Sequence, residues 1–108
     1  MGRDRRLSFT AFSVLYAMAN EHRYGFDIME ATGLASGTVY PILSRLERDG
    51  LVVAAWEDEE AAAQEGRPAR KYYTPTDDGW AALRNAVSMI RQIGGGELSV
   101  PGWSGGTP

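Results

Sequence analysis

The segment Ser36-Gly-Thr-Val-Tyr-Pro-Ile-Leu-Ser-Arg-Leu-Glu-Arg-Asp-Gly50 constrains the fold more than any other part of this chain. It opens on a helix-capping serine and closes on a helix-stopping glycine. Between them Val39, Ile42, Leu43 and Leu46 recur at i, i+3, i+4 and i+7, the stripe of a helix with one buried face. The opposite face carries Thr38, Tyr40, Ser44, Arg45 and Arg48. Their hydroxyls and guanidiniums donate hydrogen bonds to phosphate oxygens and base edges, which is what a helix lying in a major groove uses. A plain solvated helix face has the same composition, so this pattern alone leaves both roles open. Pro41 lacks a backbone donor and is best tolerated in a first turn, which predicts a helix start near Gly37 or Thr38.

The flanking segments complete a pattern. Residues 7–20 predict a first helix, capped by Ser8, with Ala11, Phe12, Val14, Leu15 and Met18 on a broad apolar face. Residues 25–33 predict a shorter second helix bearing Phe26, Ile28 and Met29 and stopped by Gly33. A short connection to the third helix makes a helix-turn-helix. After Gly50 the period changes. Leu51–Trp56 is short, β-branched and aromatic, and Arg70–Pro75 is its natural partner strand, with residues 57–69 as a long hairpin loop. Trp56 is placed to anchor that hairpin. Thr76 caps a last helix over 76–93, where Asp77 and Asp78 favour the positive end of the dipole and Trp80, Leu83, Val87 and Ile90 line one face. The Gly/Pro-rich stretch 94–108 reads as a flexible tail, with no role assigned to Trp103. The fold class is α+β, mostly α: a winged helix-turn-helix over residues 1–75, followed by the helix 76–93 and the tail.

Composition narrows the function. The formal net charge is −3, but Glu57, Asp58, Glu59, Glu60 and Glu65 crowd one loop, and setting those five aside leaves +2. Arg67, Arg70 and Lys71 cluster on the return arm of the hairpin, either as phosphate contacts or as cations that deter edge pairing. Arg3, Arg5 and Arg6 read as a solvated terminus. The chain has no cysteine and a single histidine, His22, which is expected to be structural. There is no Ser/His/Asp set, paired carboxylate cleft, phosphate-cradling glycine loop or metal cluster, so neither an enzyme, a metal nor a cofactor is expected. No apolar run approaches the roughly 20 residues that cross a bilayer, so a cytoplasmic protein without a membrane partner is expected.

The order of motifs resembles the PadR family of bacterial transcriptional regulators. The residues that carry the resemblance are Tyr24-Gly25-Phe26-Asp27-Ile28, Gly37-Thr38-Val39-Tyr40-Pro41, Arg45-Leu46-Glu47, Gly50-Leu51, Gly66-Arg67-Pro68, Arg70-Lys71-Tyr72-Tyr73, Thr76 and Gly79. It covers residues from about 10 to 90 and is similar to the compact members with one helix after the wing. The resemblance implies a homodimeric repressor of a near-palindromic operator in double-stranded DNA. It implies DNA contacts from Ser36, Thr38, Tyr40, Ser44 and Arg45 on the third helix and from Arg67, Arg70 and Lys71 on the wing. It implies that 76–93 is a C-terminal dimerisation helix, with Phe12, Leu15, Trp80, Leu83, Val87 and Ile90 in the interface and a small aromatic effector at that interface. The last helix has no aromatic residue in its second half, which argues against a pocket for flat multidrug ligands. The acidic loop is expected either to point away from DNA or to leave the wing held there by its basic arm alone. An alternative role is a winged-helix protein-interaction module that uses the acidic wing 57–65 as its recognition surface.

Overall fold

The computed structural model describes residues 7–93. Its elements run α1 (Phe9–Ala19), α2 (Gly25–Thr32), α3 (Ser36–Arg48), β1 (Val52–Trp56), α4 (Glu59–Gln64), β2 (Lys71–Pro75) and α5 (Asp77–Gln92). The expected roles of 94–108, Trp103, Arg3, Arg5 and Arg6 lie outside the described residues.

Local chemistry sets most of the boundaries. The Ser8 hydroxyl accepts the Ala11 amide at 3.1 Å and caps α1. Gly33, at φ 77°, ends α2 in the left-handed conformation that glycine adopts without a Cβ penalty. The end of α3 is a Schellman turn, in which the Gly50 amide donates to Glu47 O and the Leu51 amide to Leu46 O. Leu46 and Leu51, the two residues such a turn brings into contact, are both buried.

Two expectations need correction. Ser36 is not a cap: Ala35 holds the N-cap position, its carbonyl accepts the Thr38 and Val39 amides, and no side chain caps α3. The helix therefore starts before Gly37, and Pro41 lies inside it, past the first turn. The segment 57–69 is not a plain loop either. Asp58 accepts the Ala61 amide at 3.2 Å, and the alanine run, rich in the best helix former, winds into α4 with Ala62 fully buried.

β1 and β2 pair antiparallel, from Val52 opposite Pro75 to Trp56 opposite Lys71. On the other edge of β2, the Tyr73 amide donates to Arg23 O at 2.8 Å, and Tyr24 bridges Tyr72. The wing is thereby stitched to the start of α2. The core lies between α1, α3, the hairpin and α5, where Leu15, Met18, Ile28, Val39, Leu43, Leu83 and Val87 have no accessible surface. Truncating one of the leucines to alanine is expected to cost about 2–5 kcal/mol.

The turn after α3 nests against the first turn of α5. The Thr76 hydroxyl donates to Gly50 O at 2.7 Å and accepts the Gly79 amide at 3.1 Å. The Leu51 carbonyl lies so close to Gly79 that a β-carbon there would strike it. Gly50, Leu51, Thr76 and Gly79 are thus one joint, which sets the angle between α3 and α5.

Candidate nucleic-acid interface

Helix α3 is held by its back. Val39, Ile42, Leu43 and Leu46 are buried, whereas Ser36, Tyr40, Ser44, Arg45 and Arg48 are exposed and Thr38 is half-buried. Among the described residues, no hydrogen bond or ion pair occupies the guanidinium of Arg45 or of Arg48. The face therefore presents two uncommitted cations and three hydroxyl-bearing side chains to solvent over its length. Both arginines also sit in the last turn of α3, where positive charge complements the helix dipole.

Tyr40 is seated on α2. A β-carbon at Gly25 would overlap the Tyr40 ring, so the missing side chain is what lets the ring lie against the start of α2. Its seat is therefore on α2. Close by, His22 Nδ1 and Asp27 Oδ2 lie 3.1 Å apart and tie the loop before α2 to its first turn, a structural role as expected.

The three wing cations separate into different jobs. Arg67 is spent inside the hairpin: its two terminal nitrogens donate to Glu57 Oε1 and Oε2 at 2.6 and 2.8 Å, and Glu65 Oε1 takes two further bonds. Arg67, expected at the DNA, forms a strut between the two ends of the wing loop. Hydrogen bonds from Arg67, with the Arg70 amide adding to them and partial burial opposing, push the Glu57 carboxyl down to about 2. The same fork raises Arg67 further above its ordinary value.

Arg70 and Lys71 are better placed for a ligand. The Arg70 guanidinium lies 4.1 Å from the centre of the Tyr24 ring, and one nitrogen reaches the Tyr72 hydroxyl at 3.5 Å. Tyr24 and Tyr72 meet edge to face at 5.5 Å. The Lys71 ammonium is 5.9 Å from the Trp56 ring and 5.6 Å from the Tyr73 ring, and its nearest carboxylate oxygen, on Glu47, is 3.8 Å away.

The acidic loop does not present five carboxylates to a partner. Glu57 and Glu65 hold Arg67, and Asp58 caps α4, which leaves Glu59 and Glu60 as the exposed acids of that helix's first turn. Two aromatic residues were missed as surface groups. Phe26 is 59% exposed, and Trp56, expected to anchor the hairpin, is 68% exposed. Phe26 is indistinguishable by sequence from a core residue of α2.

A second surface lies along α1 and α5. Phe9, Met89 and Ile93 are 77%, 53% and 85% exposed and border an apolar groove of about 600 Å³ with Phe12 and Ile90. Trp80 and Ile90, expected in the dimer seam, are half-buried. Leu15, Leu83 and Val87 are different: their surface is consumed by the chain's own core, so they have none left to offer a second subunit. Among the described residues no group of His, Asp and Glu is arranged to hold a metal ion, and no helix is long and apolar enough to cross a membrane.

A helix-turn-helix, a hairpin wing sewn to it, and a third helix with an exposed donor face together define a winged-helix fold. Residues 14–85 match the Transcriptional regulator PadR-like family, and the chain belongs to that family. That family is one of transcriptional regulators. The chain is 38% identical over 73 residues to Transcriptional regulator Rv3488 of Mycobacterium tuberculosis (strain ATCC 25618 / H37Rv). That match spans 64% of this chain and 63% of the relative's length. In fold it is similar to a PadR family regulator of Clostridium difficile R20291, with TM-score 0.68, 23% identity and coverage of 80% of this chain and 91% of that one. It is similar also to BpsR of Bordetella bronchiseptica, whose DNA binding is regulated by 6-hydroxynicotinic acid, with TM-score 0.68, 24% identity and coverage of 91% and 72%.

Proposed function

We propose that the protein is a homodimeric repressor that reads a near-palindromic operator through α3. The observation that carries this is the split of α3 into a buried apolar back and a front of exposed Tyr40, Ser44 and Arg45. Ser36 and Thr38, near the N-terminus of the helix, lie where such helices approach base edges. Arg70 and Lys71 are the wing's phosphate contacts, and Arg67 holds the wing in shape.

The groove between α1 and α5 supports a dimer. Large apolar side chains standing free along one seam are the mark of a covered surface. Residues 76–93 serve as the dimerisation helix, and the units 1–75 each present one reading helix. The effector of BpsR makes a small aromatic molecule at this seam the natural candidate for releasing DNA. Titrating the duplex upstream of the protein's own coding sequence tests the reading directly. A specific complex that survives near physiological salt is expected, with reading helices spaced about 34–36 Å apart to meet successive major grooves. Weak binding abolished by that salt would return the wing to a protein-interaction role.

A further inference from the structure

Helix α2 starts on two residues that helix chemistry does not favour. Tyr24 holds the N-cap position, where serine, threonine, aspartate or asparagine would supply a capping oxygen, and its side chain makes no capping bond. Gly25, the first residue of the helix, is a poor helix former. Departures from local rules of this kind concentrate where a residue is needed for something else. Both residues are accounted for by what they meet on neighbouring elements.

Gly25 is buried, and a β-carbon built on it would overlap the hydroxyl, Cζ and Cε1 of Tyr40. At Gly79 the same addition strikes a backbone carbonyl, but at Gly25 it strikes the far end of a side chain, which can turn away. The absent methyl therefore decides where the Tyr40 ring lies. Tyr24 acts on the wing. The Arg70 guanidinium lies over its ring at 4.1 Å, the ring meets Tyr72 edge to face at 5.5 Å, and the Tyr72 hydroxyl is 3.5 Å from Arg70 Nη1. Among the described residues no ion pair competes for Arg70, so these two rings set where its charge points. Backbone pairing fixes Tyr24 in turn, through its bridge to Tyr72 and the bond from the Tyr73 amide to Arg23 O.

We propose that Tyr24 and Gly25 are positioning residues for DNA recognition: Gly25 places Tyr40 on the reading face of α3, and Tyr24 places Arg70 on the wing. Neither has to touch DNA. Because the two are consecutive, one stretch of backbone keys the reading helix and the wing to a common frame. The assignment rests on the proposed function, under which Tyr40 and Arg70 meet the operator. The two residues then have different signatures. The Tyr40 hydroxyl neutralises no phosphate, so moving it changes operator affinity without changing the salt dependence. Arg70 does neutralise one, so releasing it changes the salt slope.

The test uses the full chain, the duplex upstream of its own coding sequence and a scrambled duplex. Without DNA, NMR should show the Tyr40 ring protons close to the Gly25 α-protons. Gly25→Ala should shift those ring signals while thermal unfolding stays near the parent's. A Gly25→Ala chain that fails to fold, or a ring that does not move, overturns the role of Gly25. With DNA, Gly25→Ala should weaken specific binding about tenfold, as for one lost base contact, at unchanged salt slope. In a Tyr40→Ala background the same change should add nothing, and an equal loss in both backgrounds replaces positioning by a general structural role. Tyr24→Leu should make the slope of log K against log salt shallower by up to about 0.9, and should have no effect on it in an Arg70→Met background. Tyr24→Phe keeps the ring and should behave as the parent. A shallower slope with Tyr24→Phe, or additive losses with Arg70→Met, overturns the role of Tyr24. Those outcomes sink the positioning roles and leave DNA binding standing. A parent that binds no duplex specifically, with the Tyr40–Gly25 contact intact, overturns the proposed function and the positioning roles with it.

Discussion

Arg67 and Glu57 meet in a two-bond fork of 2.6 and 2.8 Å across ten residues of sequence, with their side chains only 20% and 18% exposed. That fork closes the wing loop at its base, where the Glu57 amide also donates to Arg70 O and Glu57 Oε1 accepts the Arg70 amide. Its pH dependence follows from the direction of the shift. The folded-state carboxyl titrates at about 2 against 4.5 when unperturbed. The folded form thus holds its proton less tightly than the unfolded one, and stability from this group is fully present above about 4.5 and lost as pH falls toward 2. Glu57→Gln is expected to lower stability at neutral pH and to flatten the acid limb between those values. Thermal unfolding of the two proteins measured from pH 2 to 7 checks this, and parallel curves would show that the fork contributes nothing.

Gly79→Ala should destabilise, against the ordinary rule for a helix. Alanine in place of glycine normally stabilises a helix interior by about 1 kcal/mol. Here the new methyl meets the Leu51 carbonyl, a backbone atom held by the Thr76 amide at 3.0 Å, and neither side can swing away. A net loss of roughly 1–3 kcal/mol is expected, as for overpacking elsewhere. Gly37→Ala, where a β-carbon would meet open space, is the matched control and should be neutral or slightly stabilising. Chemical denaturation of both variants decides the point, and equal stabilities would remove the joint between α3 and α5.

The contrast between these two pairs shows what a sequence makes legible. The apolar stripe Val39, Ile42, Leu43 and Leu46 is buried as its spacing predicts, and Ser8, Gly33, Gly50 and Thr76 act at the helix ends where they were expected. Those are local rules, decided within four or five residues. Ser36 failed as a cap because a cap is defined by backbone shape, and Ala35 has that shape. The helix α4 was hidden because six residues are too few to announce themselves, and it needs both Asp58 and the burial of Ala62. The fate of Arg67 depends on which acid the folded hairpin brings opposite it, which spacing does not reveal. Likewise, periodicity locates the apolar faces of α1 and α5 but not what covers them. Leu15, Leu83 and Val87 at the centre go to the core, and Phe9, Met89 and Ile93 at the margins stay in solvent.

Arg45→Ala separates reading from folding. The side chain is exposed and, among the described residues, unpaired, so its loss should leave stability within about 0.5 kcal/mol of the parent. If Arg45 reads a base, affinity for the operator should fall by about 1–3 kcal/mol while non-specific binding changes little. Competition gel shifts with specific and scrambled duplexes measure both. Unchanged operator affinity would move the reading contacts elsewhere on α3.

Salt dependence distinguishes the wing cations. If Lys71 meets a phosphate, as proposed, Lys71→Met should make the slope of log K against log salt shallower by about 0.9. The double variant Arg67→Gln with Glu57→Gln keeps the net charge and removes only the fork. Its slope should match the parent, because neither member of that pair faces a phosphate. A slope reduced by the double variant and untouched by Lys71→Met would exchange the two roles.

Met89→Glu tests the seam between α1 and α5. Met89 is 53% exposed, so within one chain the carboxylate stays in water and the fold should persist. In a dimer the same group would be drawn into an apolar interface beside Phe9, Phe12 and Ile93, where an unpaired charge costs several kcal/mol. Sedimentation equilibrium should therefore show the dimer dissociating at concentrations at which the parent remains paired. Circular dichroism should be unchanged in shape. Operator affinity should fall as well, because two linked half-sites bind far more tightly than one reading helix alone. An intact dimer with Met89→Glu would place the subunit contact on another face, and the exposed Phe9 and Ile93 would then require a different partner.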